Sequence, residues 1–265
     1  MIKPLDNNDF LILSREYNVP VRIVQQDYAA LAALDIIAFS ELKEFLGFKG
    51  GTAIRRAYFP DARFSVDLDF DYLYKIDQLA LEEQISIIAE DIWRKFKNVF
   101  EREVSGSVLF GVVNPPIISR KWITIAVDYK MPGMASFLRI DVNFANLSQK
   151  EYSWRRILVE PFEGTSGDIK VLSLKDIFID KVYAIYDRTN AKDLWDIYYL
   201  IKHGFKLSIR LNDRVNLSLD RILKAIDFVS ESDWALLQDY LPSNLKTPVI
   251  GEVKRIVKEF IVKNW

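Results

Sequence analysis

Between residues 64 and 72 the chain reads FSVDLDFDY, in which Phe64, Val66, Leu68 and Phe70 alternate with Ser65, Asp67, Asp69 and Asp71. Successive strand residues face opposite ways, so the stretch predicts a strand that is apolar on one face and acidic on the other. Such a strand needs a sheet with one covered face and one open face. Three more β-rich pieces follow, SVLFGVV, KWITIAVDYK and SFLRIDVNF, separated by the breakers NPP and MPGM. In the last of them Leu138, Ile140 and Val142 alternate with Arg139, Asp141 and Asn143, which places Asp141 away from the packed face. Residues 23–46 repeat apolar side chains at helical spacing and predict one or two amphipathic helices, and residues 78–97 predict another. The expected class is α+β: a mixed sheet flanked by helices over residues 1–146, then a mainly helical lobe over 147–265, broken near LPSN and KTP.

Composition removes several kinds of chemistry. Among 265 residues there is no Cys and one His, His203, which excludes thiolate nucleophiles and makes His-clustered metal sites and Ser-His-Asp hydrolysis poor fits. Any metal must be held by oxygen. The net charge of −1 gives no global attraction to nucleic acid, so a polyanionic partner needs a local cationic patch. Arg55, Arg56, Arg63 and Arg139 are the candidates for it. No run approaches the roughly 18 apolar residues of a membrane span, and MIKPLDNNDF lacks the regions of a signal peptide, so the expectation is a cytoplasmic protein with no membrane association.

Two carboxylates one residue apart on a strand point the same way, about 6–7 Å apart, a spacing suited to shared coordination of hard cations. Asp67 and Asp69, with Asp141 as third carboxylate, would hold two Mg²⁺ or Mn²⁺ ions beside a triphosphate. Just upstream, FKGGTAIRR places Gly50 and Gly51 at a turn into a helix, where backbone N–H groups and the helix dipole favour phosphate. Taken singly, a Gly-Gly-Thr is most often an ordinary turn, and an Asp-x-Asp edge is most often solvated surface. Farther on, Ser173 caps a predicted helix whose inward stripe, Leu174, Phe178 and Ile185, includes Lys181. A lysine there must reach water or an anion. On the stripe position alone, Lys181→Met is expected to hold stability or raise it slightly. Asp193 and Asp196 share one face of the following helix.

The segment FKGGTAIRRAYFPDARFSVDLDF resembles the signature of the AbiEii family of nucleotidyltransferase toxins, within the DNA polymerase β-like nucleotidyltransferase superfamily. VQQDYAALAAL upstream resembles the Asp-Tyr helix of that family, and DKVYAIYDRTNAKDLWDIYYL resembles its second half, so the likeness spans residues 24–201. It implies a nucleotidyltransferase core with a C-terminal helical lobe. It further implies that Gly50, Gly51 and Thr52 cradle the triphosphate, that Asp67 and Asp69 bind metal, and that Asp141 is the third carboxylate. Lys181 would contact nucleotide phosphates, Arg55 would add to nucleotide binding, and Asp193 would complete the site with Asp196 nearby. Two departures stand out: Lys192 occupies the place of the usual Arg, and Gln25-Gln26 stand where charged residues are commoner.

The activity implied is metal-dependent transfer of NMP from an NTP to an acceptor hydroxyl, with tRNA as the expected acceptor. The role implied is that of the toxin in a toxin–antitoxin or abortive-infection system, with a cognate antitoxin as partner. Two alternatives belong to other classes. One is nucleotidylation of a small molecule such as an antibiotic, and the other is a catalytically silent nucleotide-binding module. A silent module is expected to lack one of Asp67, Asp69 or Lys181, and all three are present.

Overall fold

The computed structural model describes residues 1–74, 81–119, 121–144, 149–245 and 248–265. The chain forms two compact units, Met1–Leu172 and Ser173–Trp265.

The first unit opens with α1 (Asn7–Tyr17), whose start is fixed by a reciprocal cap. Asp6 accepts from the amides of Asn8 and Asp9, and Asp9 accepts from that of Asp6. Next comes α2 (Val21–Ala38), buried over nearly its whole circumference. It is therefore a central helix and not the amphipathic one its spacing suggested, and its two carboxylates, Asp27 and Asp35, are satisfied internally. Asp35 accepts from Ser105 Oγ at 2.7 Å and Ser166 Oγ at 2.8 Å.

Strand β1 (Leu46–Lys49) runs into α3 (Gly50–Ala53), which continues as a wider helical turn over Ile54–Tyr58. Then follow β2 (Leu68–Tyr72), α4 (Leu81–Phe100), β3 (Val104–Ser105), β4 (Val108–Val113), β5 (Ile117–Ile118), β6 (Trp122–Met131), β7 (Met134–Asn143), β8 (Tyr152–Arg156) and β9 (Asp168–Leu172). The sheet order is β3-β4-β6-β7-β2-β1-β9-β8, with β5 paired to β6. It is mixed as expected: β2·β7 and β1·β9 are parallel, and the remaining pairs are antiparallel. One face is closed by apolar side chains, among them Phe48, Phe70, Ile140 and Val142.

The expected boundary at 146/147 falls outside the described residues. The units divide instead at Leu172/Ser173, because β8 and β9, from a region expected to be helical, pair into the sheet of the first unit. Among the described residues the second unit has no strand. It comprises α5 (Leu174–Arg188), α6 (Ala191–Lys202), α7 (Leu219–Phe228), α8 (Glu231–Leu237) and α9 (Ile250–Lys263). Its core is aromatic: Phe178 stacks on Phe205 at 5.1 Å and meets Phe260 at 5.5 Å. Among the described residues no helix is long and apolar enough to cross a membrane.

Candidate active site

The expected strand over 64–72 begins only at Leu68, because side chains take the place of strand partners over the preceding residues. Thr52 Oγ1 donates to the Asp67 carbonyl at 2.5 Å and meets the Ser65 hydroxyl at 2.8 Å. The Ser65 amide reaches Asp27 Oδ1 at 3.5 Å, and Arg63 donates to the Phe64 carbonyl. Asp67 is consequently an exposed residue on the lead-in to β2, whereas Asp69 is half-buried within the strand.

Gly50 brings the turn onto the acidic strand. Its φ of +79° lies in the left-handed region, and a Cβ there would overlap the Asp69 carboxylate. Only glycine fits that combination of backbone and neighbour. In the parallel register of β2 and β7, Asp69 lies opposite Asp141, and in the antiparallel register of β1 and β2 it lies opposite Lys49. Asp141 is engaged: Arg139 holds it through Nε–Oδ1 at 3.2 Å and Nη2–Oδ2 at 2.8 Å, and Thr124 Oγ1 donates to it at 2.5 Å. The bond to Asp141 raises the Arg139 guanidinium above its ordinary value, and the charges of Asp141, Asp67 and Asp69 add to the rise. One guanidinium thus feels all three predicted carboxylates.

Asp71 is different. It is fully buried and ringed by Lys49 Nζ at 2.7 Å, Lys150 Nζ at 2.9 Å and Tyr152 Oη at 2.6 Å. Burial alone would push its carboxyl up, but the two ammonium groups and the hydrogen bonds from Lys49 and Tyr152 hold it below the usual carboxylate range.

Three expectations about cations are corrected. Arg55, expected to bind nucleotide, is 1 % exposed. It bonds to Asp27 Oδ2 at 3.4 Å and to the Ala62 carbonyl, and its guanidinium lies 4.1 Å from the centre of the Phe64 ring. Arg56 is fully buried on the same Asp27 oxygen and on the Glu160 carbonyl. Arg63 is buried as well, so of the four candidate arginines only Arg139 is open to solvent. Thr52 has its hydroxyl committed inward, which leaves only its backbone for a phosphate.

In the second unit, Lys181 finds anions within its own helices. Its Nζ lies 2.8 Å from Asp193 Oδ1 and 2.6 Å from Asp196 Oδ2. Asp193 also accepts from Arg188 Nε at 2.7 Å and Nη2 at 3.0 Å. Burial pushes the Asp193 carboxyl up, but Lys181 and Arg188 together hold it well below the usual range. His203 ends α6, stacked on Tyr199 at 3.9 Å between ring centroids, with Nδ1 at the Tyr199 carbonyl, which is a structural placement.

Among the described residues no three acidic or histidine side chains are gathered tightly enough to enclose a metal ion unaided. The donor set nevertheless fits a hard cation, since Asp67, Asp69 and Asp141 offer only oxygen and Mg²⁺ commonly completes its shell with water and substrate phosphate.

A glycine turn packed on an acidic strand of a mixed sheet suits the handling of a phosphate chain, and the family match assigns the class: the protein is a nucleotidyltransferase. Residues 32–249 match the family described as "Nucleotidyl transferase AbiEii toxin, Type IV TA system", and the chain belongs to that family. Solved structures share the fold. A putative nucleotidyltransferase from Helicobacter pylori is 19% identical with a TM-score of 0.56, over 91% of this chain and 97% of that one. JHP933 from Helicobacter pylori is also 19% identical, with a TM-score of 0.53 over 91% and 94%. MenT4, a nucleotidyltransferase toxin from Mycobacterium tuberculosis H37Rv, is 15% identical with a TM-score of 0.59 over 95% and 88%. A sequence search of curated proteins returned no match.

Proposed function

We propose that this nucleotidyltransferase moves NMP from an NTP to a hydroxyl of an RNA, tRNA being the first candidate, and that it acts as a toxin restrained by a cognate antitoxin. The observation that carries the reading is the seating of Gly50 on the Asp69 carboxylate, with Asp141 in register on the next strand. This brings a phosphate-accepting turn and the acidic edge within one side chain of each other.

The acceptor hydroxyl loses its proton to solvent as its oxygen bonds to the α-phosphorus, the bond from that phosphorus to the α,β-bridging oxygen breaks, and pyrophosphate leaves. Asp67 and Asp69, with Asp141 beside them, would hold one or two divalent ions, Mg²⁺ or Mn²⁺. When bound, these supply charge neutralisation at the phosphates. The backbone of Gly50, Gly51 and Thr52 orients the triphosphate. Arg139, bound to Asp141 and open to solvent, is available to meet incoming anions. Lys181, Asp193 and Asp196 serve the reading through the family likeness, while their mutual pairing supports a role in holding α5 to α6. Catalysis on these terms rests on positioning and electrostatics, which agrees with a chain that has no cysteine.

The test is incubation with each labelled NTP and Mg²⁺ or Mn²⁺, with total tRNA in one arm and candidate small-molecule hydroxyls in the other. Label retained on tRNA and lost in Asp69→Asn is the expected result. Label on a small molecule alone would reassign the acceptor. Co-expression with the product of the adjacent reading frame tests the antitoxin.

A further inference from the structure

The open face of the sheet continues past the acidic edge onto β7 and β6. Asp141 shares that face with Arg139 and Phe137 on its own strand, and with Trp122, Thr124 and Ala126 on β6. Thr124 stands opposite Asp141 and Ala126 opposite Arg139, so the floor beside the carboxylate is made of small side chains. A large ring stands at either end of it. Trp122, the diagonal neighbour of Asp141 at about 7–8 Å, is 45 % exposed, and Phe137, four residues before Asp141 on β7, is 61 % exposed. Among the described residues neither ring meets another aromatic ring, whereas on the covered face Phe110 packs against Phe100 at 5.2 Å. Phe137 also has a cation on each side: Arg139 along β7, and Lys130 as its diagonal neighbour on β6. Asp128, directly opposite Phe137, is engaged by the Asn114 amide at 3.1 Å.

The strand order bears on which reactant this ground serves. The glycine turn follows β1 and lies on one side of Asp69, while β7 and β6 lie on the other. In phosphoryl transfer the attacking and leaving oxygens are roughly in line. A triphosphate seated at the turn releases pyrophosphate on the side of β1, so the acceptor hydroxyl arrives from the side of β7. A strand arriving there meets both rings. Unpaired bases can stack on aromatic side chains, whereas the bases of a duplex are already stacked on one another.

We propose that Trp122 and Phe137 are stacking platforms for the unpaired end of the RNA acceptor, Trp122 for the terminal base beside the reacting hydroxyl and Phe137 for a base farther back. Arg139 and Lys130 supply positive charge to the backbone of that strand. The proposal rests on the nucleotidyltransfer reading above and adds how the acceptor is held.

Anisotropy titration of the full chain with a fluorescent single-stranded RNA oligonucleotide tests it, with a blunt RNA duplex as comparison and calorimetry with a non-hydrolysable NTP alongside. The wild type should bind the single strand more tightly than the duplex. Trp122→Ala and Phe137→Ala should each weaken single-strand binding by about fivefold to a hundredfold, the scale of one base–aromatic stack, and leave NTP affinity unchanged. Trp122→Phe should recover most of the Trp122 loss, and Trp122→Leu, apolar but without a π face, should not. Wild-type RNA affinity in both alanine variants overturns the proposal, as does recovery by leucine equal to that by phenylalanine. A loss of NTP affinity with RNA affinity intact overturns it too, and gives the face to the nucleotide base. Retained RNA affinity with loss of binding to the product of the adjacent reading frame overturns it in favour of a protein partner. If the wild type binds the single strand through these rings but transfers no label to any acceptor, the functional reading fails and the platform stands. If both alanine variants label tRNA at wild-type KM, the platform fails and the functional reading stands.

Discussion

Replacing Lys181 by methionine separates what the helical stripe suggests from what the packed unit requires. The stripe alone expects little loss, because methionine keeps the stem's bulk and deletes only a charge. The contacts reverse the sign. Lys181 is 6 % exposed and is shared by Asp193 and Asp196 at 2.8 and 2.6 Å. Removing one partner of a buried ion pair costs about 3–5 kcal/mol, since the carboxylates left behind have lost both water and counter-charge. Arg188 still bonds to Asp193, but its side chain is 62 % exposed and water screens its help, so the lower end, about 3 kcal/mol, is the expected loss. For a unit of this size, with about 4–8 °C of Tm per kcal/mol, the second unit should melt roughly 12 °C lower or more. Calorimetric melts of the wild type, Lys181→Met and the triple Lys181→Met, Asp193→Asn, Asp196→Asn check this at neutral pH and near pH 5. The single variant should be the least stable, and it should recover partly at the lower pH, where the stranded carboxylates can take up protons. A single variant that melts with the wild type would refute the reasoning and leave Lys181 as a side chain whose charge the fold does not use.

Asp27→Asn should destabilise the first unit by about 3 kcal/mol or more in urea titrations, because Arg55 and Arg56 are both buried on that carboxylate. Gly50→Ala should cost about 1–2 kcal/mol through its positive φ and should also displace Asp69, so transfer is lost beyond the change in stability; activity measured well below the melting point separates the two. Asp69→Asn should abolish most transfer and leave the urea midpoint nearly unchanged, since the residue is half-buried and the substitution keeps its size. Asp71 and Asp193 both have folded values held below the ordinary carboxylate value of about 3.9, so their stabilisation is present above that pH and lost as pH falls through the lower folded values. Urea midpoints should be level near neutrality and drop below about pH 4, with a shallower drop in Asp71→Asn.

What the sequence made legible is what depends on local period and spacing. The strands of SVLFGVV, KWITIAVDYK and SFLRIDVNF appear as β4, β6 and β7, and the acidic parity of Asp69 and Asp141 survives because side chains alternate whatever the partner. Beyond that the local rules fail for identifiable reasons. Leu46–Lys49 is too short to show a period, yet it is a strand, because β2 and β9 supply its hydrogen bonds from either side. Arg55 and Arg56 look like surface cations in a linear reading, and only the folding of α2 against the wider turn Ile54–Tyr58 buries them on Asp27. Lys150 and Tyr152 lie about eighty positions from Asp71, a separation at which no spacing rule links them. Lys49 and Arg188 had a weak signal, since one adjoins the glycine turn and the other lies between Lys181 and Asp193, but neither departs from an ordinary surface pattern.

One buried ionic group of the first unit, Asp27 with Arg55 and Arg56, converges on the backbone that leads to the carboxylates. Asp27 takes both Arg55 and Arg56 and also reaches the Ser65 amide, while Thr52, one turn of helix before Arg55 and Arg56, holds the Asp67 carbonyl. Residues 63–67 are therefore fixed from two helices and not by a sheet ladder, and Asp67 projects from a rigid lead-in with no strand partner of its own. A reaction driven by positioning would need this, because a misplacement of about 1 Å can cost about a hundredfold in rate. Arg56 extends the same net to the carbonyls of Leu158 and Glu160, which follow β8, the strand that carries Tyr152 to Asp71. The two arginines that seemed suited to meeting a polyanion thus act one step behind it. They hold in place the lead-in that carries Asp67 toward the strand of Asp69.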